Sequence, residues 1–240
     1  MSVQRKVLID RSSVLVFGVA WTMTTYHLAP VLLARDAWPM TGLGLVCGYL
    51  LADLLAGTVH WIADRFLERD TPFLGPMLIA PFREHHDDAL GITRHGFFEV
   101  SGNNALVTIP VVLVVASMPL PKTDLGFFLL ALGVFSTLFL FLTNQFHRWA
   151  HSPSPPRVAR WLHATGIILT PTRHARHHGG DHNEAYCVTS GLLNPVLDRL
   201  GIFARLERIF SASSQPSEAV ARPTGSPTTE TETERRGEGA

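Results

Sequence analysis

The sequence predicts an all-α integral membrane protein with about four transmembrane helices and a histidine-rich helical cap on one membrane face. Three observations lead there. Four apolar stretches are each long enough, or nearly so, to cross a bilayer, and only one carries a charge, Asp53. Charged residues make up 17% of the 240, against roughly 25% in soluble domains, and the mean hydropathy is +0.18. Twelve histidines are present, most of them in the polar segments that connect and follow the apolar ones.

Residues 1–11 are short and basic, with Arg5, Lys6 and Arg11 against Asp10. Residues 12–34 then run without a formal charge. A hydrocarbon core of about 30 Å needs roughly 20 such residues, so this is the first span, with His27 and Pro30 near its far end. A cleaved signal peptide would have a shorter apolar core and a small-residue cleavage site; none stands out. After a short loop at 35–39, residues 42–62 form the second span. Asp53, Gly57, His60 and Asp64 are spaced 4, 3 and 4 apart and so share one helix face. An acid at membrane depth is costly and marks either function or a helix-packing hydrogen bond; Asp53 fits both. His60 and Asp64 point to a site.

Residues 65–103 are a polar connection with Arg65, Arg69, Arg83 and Arg94, broken by Pro72, Pro76 and Pro81. They hold EHHDD at 84–88 and HGFFEVSGNN at 95–104. The apolar run at 74–82 is too short to span and fits an interfacial segment or the wall of a substrate groove. The third and fourth spans are residues 105–120 and 125–143, tightly linked through Pro119, Pro121, Lys122 and Asp124. Residues 159–171 are apolar but short, which fits an interfacial helix or buried turn, and residues 183–210 a cap over the site. From 211 to 240 the composition shifts to Ser, Thr, Pro, Glu and Gly. That tail lacks the apolar residues to offset ordering entropy and is expected to be disordered. The domain organisation is thus 1–11, a membrane domain over 12–210, and the tail.

Charge sets the orientation. Lys and Arg flank the N-terminus, the second loop and the C-terminal region, while the first and third loops carry only Arg35 and Lys122. The positive-inside rule places both termini and the long second loop in the cytoplasm. His60, His85, His86, His95, His147, His151, His174, His177 and His178 then share that face, and His27 alone falls opposite. Trp61, Trp149 and Trp161 fit interfacial anchors.

On a helix, residues four apart lie on one face. His147 and His151 can therefore aim two imidazoles at one point, as can His174 and His178, with His177 beside them. Neutral imidazole suits zinc, copper, iron and nickel. The candidate ligands are His60, Asp64, His85, His86, His95, His147, His151, His174, His177 and His178. One catalytic zinc takes three protein ligands; ten candidates suit a dimetal site with open positions. His95 precedes Glu99 by four and fits a base oriented by that carboxylate, so Asp64, His95 and Glu99 are the catalytic candidates. Asn144, three before His147, fits a support for a metal-bound water. His163 reads as structural, His182 as a loop histidine and Cys187 as packed. Cys47 and Cys187 have no zinc or disulfide pattern, and no nucleic-acid motif or basic excess is present. A two-iron centre that activates O₂ can take hydrogen from an unactivated C–H bond. It needs two electrons, and the chain has no flavin or nicotinamide fingerprint, so a separate reductase is expected.

Several strings, in order, carry a resemblance: D-x-x-x-G-x-x-H-W-x-x-D at 53–64, HH at 85–86, H-x-F-x-E-x-x-G-x-N at 95–104, N-Q-x-H-x-W-x-H at 144–151, and H-x-x-H-H plus Y-C at 174–187. Over about residues 50–210 the chain resembles the plasmanylethanolamine desaturase family (Kua or CarF-type proteins), related to the plastid palmitate desaturase. The resemblance implies O₂-dependent C1′–C2′ dehydrogenation of a 1-O-alkyl ether phospholipid to the vinyl ether of a plasmalogen. It implies two iron ions and electrons from a cytochrome b5 or ferredoxin-type donor. It further implies iron ligands at His60, His85, His86, His147, His151, His174, His177 and His178, with Asp64 and His95 as ligands or close neighbours. The wider desaturase pattern has H-x₃₋₄-H in its first box; here the second member is Asp64. The expected membrane is a bacterial inner membrane, or the endoplasmic reticulum in a eukaryote. Competing readings are an acyl-lipid desaturase or hydroxylase with the same centre, a metal-binding membrane transporter, and a di-haem electron carrier.

Overall fold

The computed structural model describes residues 3–72, 75, 79–179 and 181–214. Among them the regular elements are all helices: α1 (Val3–Leu32), α2 (Trp38–Arg65), α3 (Ala80–Asp87), α4 (Gly91–Arg94), α5 (Phe97–Ser117), α6 (Asp124–His151), α7 (Arg157–Thr165), α8 (Pro171–His178), α9 (Asn194–Arg199) and α10 (Ile202–Ser214). One compact unit closes at Ala204; the described part of the second, residues 205–214, is the remainder of α10. Residues 74 and 76–78 of the apolar run, and 215–240 of the expected tail, lie outside the described residues.

Four helices are long and apolar enough to cross a membrane: α1, α2, α5 and α6. Each is longer at its polar end than the apolar stretch alone suggests. The basic N-terminal segment is the start of α1, and residues 97–104 begin α5 rather than closing a loop. The fourth helix continues through the histidines to His151. Helical hydrogen bonding continues past the apolar run because polar side chains at these ends find partners. Asn104 Nδ2 donates to the carbonyl of Leu140 at 2.8 Å, and Asn144 Nδ2 to that of Val100 at 3.1 Å.

These two bonds also fix α5 and α6 as antiparallel. Val14 and Phe17 of α1 pack with Ala105, Val112 and Phe141, and Leu28 and Leu32 with Val115 and Leu130. So α1 runs parallel to α5 and against α6. The α2–α6 pair is parallel and close. A Cβ on Gly44 would lie 2.5 Å from Ala131 Cβ, and one on Gly48 would lie 2.9 Å from the Leu132 carbonyl oxygen. Small residues four apart let helix backbones approach where lipid offers no hydrophobic drive. Up-down alternation therefore gathers the starts of α1 and α5 and the ends of α2 and α6 at one end of the bundle. The outward faces carry exposed Leu15, Val19, Val107 and Val114, as a lipid-facing surface does.

Short elements close over that end. Thr170 caps α8 by accepting from Arg173 N at 3.2 Å, and Pro171 starts it. Gly166, at φ 68°, ends α7 in the left-handed conformation that glycine tolerates best.

Candidate metal centre

The end of α2 supplies His60 and Asp64, and the end of α6 supplies His147 and His151. The eight-residue α3 brings His85 and His86, and α8 brings His174, His177 and His178. Arg83 locks α3 to α2. Its guanidinium donates to the carbonyl oxygens of Leu67 at 2.6 Å and Asp64 at 3.2 Å, groups that the helix end leaves unpaired. Arg173 does the same for α8, donating to the Gly166 carbonyl at 2.7 Å and the Ser190 carbonyl at 3.0 Å.

Nine side chains divide into two groups, within each of which the ligand atoms all lie within 4.8 Å of one another. The first is His85, His147, His151, His174 and His178; the second is His60, Asp64, His86 and His177. In the first, Nε2 of His174 lies 2.8 Å from that of His147, 2.8 Å from that of His151 and 3.0 Å from that of His178. In the second, His86 and His177 place Nε2 atoms 3.1 Å apart, and Asp64 Oδ2 lies 3.3 Å from His60 Nε2.

The fit to two metal ions is direct. Ligands at right angles around an ion with ~2.1 Å metal–nitrogen bonds lie about 3 Å apart. A neutral imidazole has one N–H and one lone pair, so four nitrogens aimed at a common point cannot all be hydrogen-bonded to one another. Nε2 of His60 and His85 and both carboxylate oxygens of Asp64 are buried without hydrogen-bond partners among the described residues. Leaving such groups unmet is costly; a cation in each group meets them.

Outer contacts aim the rings. His177 Nδ1 donates to the Glu184 carbonyl at 2.8 Å, and His60 Nδ1 lies 3.3 Å from the Tyr186 carbonyl. Each leaves Nε2 facing inward as a lone-pair donor. Burial, reinforced by His177, pushes His86 down to about 3; burial also brings His177 and His178 down to about 4. Burial holds His85 and His174 well below the usual imidazole range. These rings are neutral at physiological pH, as metal ligands must be.

His95 joins neither group. It is half-exposed, its Nδ1 2.9 Å from Glu99 Oε1. The expected carboxylate–histidine pair is present, set beside the clustered ligands rather than among them. Both residues line a cavity of about 500 Å³ whose inner wall includes His85 and His147. Asn144 lines the same cavity. Asp53 belongs to the scaffold. It accepts from the backbone N–H groups of Thr189 (3.1 Å), Ser190 (2.7 Å), Gly191 (3.1 Å) and Leu193 (3.4 Å), and from Ser190 Oγ (2.9 Å). The histidine read as a loop residue, His182, stacks on His86 with ring centroids 4.3 Å apart. Its left-handed φ of 51° gives no signal in the sequence beyond the neighbouring glycines.

This is a bundle of membrane-length helices with nine ligand-type side chains, eight of them imidazoles, in two groups at one end that fit two metal ions. Residues 49–217 match the lipid desaturase domain, and the chain belongs to that family. It is 39% identical over 167 residues to the Myxococcus xanthus plasmanylethanolamine desaturase, covering 70% of this chain and 59% of that protein. It is 40% identical to mouse plasmanylethanolamine desaturase 1, covering 75% of this chain and 69% of the mouse protein. With chloroplastic fatty acid desaturase 4 of Arabidopsis thaliana it shares 36% identity, over 68% of this chain and 49% of that protein. The chain thus spans less than two thirds of the Myxococcus and Arabidopsis relatives. No solved structure matches.

Proposed function

We propose that the chain is an O₂-dependent desaturase. It converts 1-O-alkyl ether phospholipid (plasmanylethanolamine) to the 1-O-alk-1′-enyl vinyl ether, with two iron ions at the centre and electrons from an external carrier of cytochrome b5 or ferredoxin type. Lipid, O₂, two electrons and two protons become vinyl ether and two waters. The observation that carries this reading is the cavity. The chamber against His85 and His147 joins apolar surface from Ala80, Phe82, Ile92 and Val100 to charged and polar side chains, Lys6, Glu84, Arg94, His95, Glu99 and Asn144 among them. Such a chamber suits a bond one atom from the glycerol, with the headgroup in the cavity. The two relatives that share 39% and 40% identity carry the matching name.

His85, His147, His151, His174 and His178 would hold one ion, and His60, Asp64, His86 and His177 the other. When bound, iron supplies the oxidising power drawn from O₂ that C–H cleavage requires. The chain's own groups do the rest. Arg83 and Arg173 keep the ligand helices in place, Asn144 braces α6 against α5 beside the cavity, and the His95–Glu99 pair would pass from solvent toward the centre a proton that the reaction consumes in forming water. The site end of the bundle faces the cytoplasm, in a bacterial inner membrane, with both termini on that side.

The plant relative's name supports a second reading, acyl-lipid desaturation at the same centre. Expression in a host supplied with 1-O-alkyl phospholipid but lacking plasmalogen, with a His178→Ala control, separates them. Acid-labile vinyl ethers in the wild type and none in the control are expected. No vinyl ether despite expression, iron loading and a supplied donor rejects the ether-lipid reading, and new acyl double bonds would then favour the second.

A further inference from the structure

One cavity residue stands ahead of the matched region at 49–217: Lys6, in α1. Its ammonium meets Asp10 Oδ2 at 2.8 Å, with the two side chains 28% and 3% exposed. Asp10 has its place because residue 102 is glycine. A Cβ there would lie 2.6 Å from Asp10 Oδ1 and 2.7 Å from its Cα. The carboxylate therefore sits buried in the α1–α5 contact and holds the ammonium at the cavity wall. An ammonium has three donors; one faces Asp10, and among the described residues the other two are left for a ligand. The other fixed cation of the wall, Arg94, is 63% exposed and paired with Asp88. Lys6 is the more shielded, so its interactions are weakened less by solvent and salt.

The ligand chemistry follows from the position. The cavity reaches His85 and His147, and in an ether phospholipid only the glycerol backbone separates the reacting carbons from the phosphodiester. A substrate with C1′–C2′ at the centre brings its phosphate into this chamber. We propose that Lys6, braced by Asp10, binds the phosphate of the lipid headgroup, so that α1 is part of the substrate site as well as a membrane span. This rests on the lipid desaturase reading above.

The test compares wild type, Lys6→Gln and Lys6→Arg, full-length and iron-loaded. The substrates are 1-O-alkyl-2-acyl-glycerophosphoethanolamine and 1-O-alkyl-2-acylglycerol, which has no phosphate. Lys6→Gln is expected to raise KM for the phospholipid about ten- to a hundred-fold, the loss of a charge-assisted contact, with a smaller change in kcat and the same iron content. Lys6→Arg recovers most of the affinity, and KM for the phosphate-free lipid is the same in wild type and Lys6→Gln. An unchanged KM in Lys6→Gln, or equal weakening toward both lipids, overturns the proposal. Binding of the two lipids to wild-type protein, followed by native mass spectrometry, needs neither turnover nor a folded variant. Equal affinity for both lipids would also overturn it. Absence of vinyl ether from the wild type sinks the reaction instead, and the same binding comparison made on wild type and Lys6→Gln, with selective loss of phospholipid binding expected in the variant, still decides Lys6.

Discussion

Asp53→Ala should unfasten the metal centre from a distance. The carboxylate accepts five hydrogen bonds from residues 189–193. Alanine leaves the N–H groups of Thr189 and Ser190, both 0% exposed, and of Gly191 without a partner. At about 1–3 kcal/mol for each such group, with some relief from water entering the gap, the loss is about 3–5 kcal/mol. The damage does not stop at the loop. The same stretch of chain presents the Glu184 and Tyr186 carbonyls that orient His177 and His60. Losing such outer contacts lowers metal affinity roughly 10–100-fold. Thermal unfolding in detergent and iron content after dialysis against a graded chelator read the two effects. Asp53→Asn keeps one acceptor oxygen and should fall between. A variant Asp53→Ala that unfolds at the wild-type temperature and holds iron equally well would refute the assignment of Asp53 as the anchor of this loop.

Three further outcomes are expected. Gly57→Ala places a Cβ 2.7 Å from Cys187 Sγ and 3.0 Å from that residue's backbone N and Cα; backbone cannot step aside cheaply, so stability should drop by about 1–3 kcal/mol, measured by thermal unfolding. Cys187 is 0% exposed and burial raises its thiol pKa, so iodoacetamide should modify it only after denaturation, as peptide mass spectrometry would show; labelling in the folded protein would contradict the packing. His85→Ala should lower the iron bound per chain whereas His95→Ala should leave it at the wild-type value, and iron loss in His95→Ala would return His95 to the ligand set.

Much of this architecture is legible in the residues. Hydropathy gives four spans because the bilayer demands a length that few other segments reach. The pairs His147/His151 and His174/His178 converge because residues four apart share a helix face. Periodicity also put Asp53, Gly57, His60 and Asp64 on one face, and the structure uses that face throughout: Asp53 for the loop, Gly57 for close approach, the last two for the centre. What could not be read is what depends on contacts distant in the chain. Nothing near Asp53 announces that its partners are 136 to 140 residues away. The helical start of α5 is hidden because Glu99, Asn103 and Asn104 look like loop residues until Asn104 is seen to pair with the Leu140 carbonyl and Asn144 with that of Val100. His95, four before Glu99, reads as a ligand or as a base held by that carboxylate, and the fold sets the pair on the wall of the chamber beside the clustered imidazoles.

The division of the histidines has a thermodynamic consequence. His85 and His86 are chain neighbours yet belong to different groups, and so do His177 and His178. Successive residues on a helix point about 100° apart, so α3 and α8 each reach toward both ion sites at once. Neither helix exceeds eight residues, too short to be stable alone. Arg83 and Arg173 already hold both helices, so an ion in either group would bear on the ligands of the other through a rigid connection. Occupancy of the two groups should therefore be coupled, and a ligand substitution in one group should lower the metal held by the other, as metal analysis of His85→Ala against His86→Ala would show.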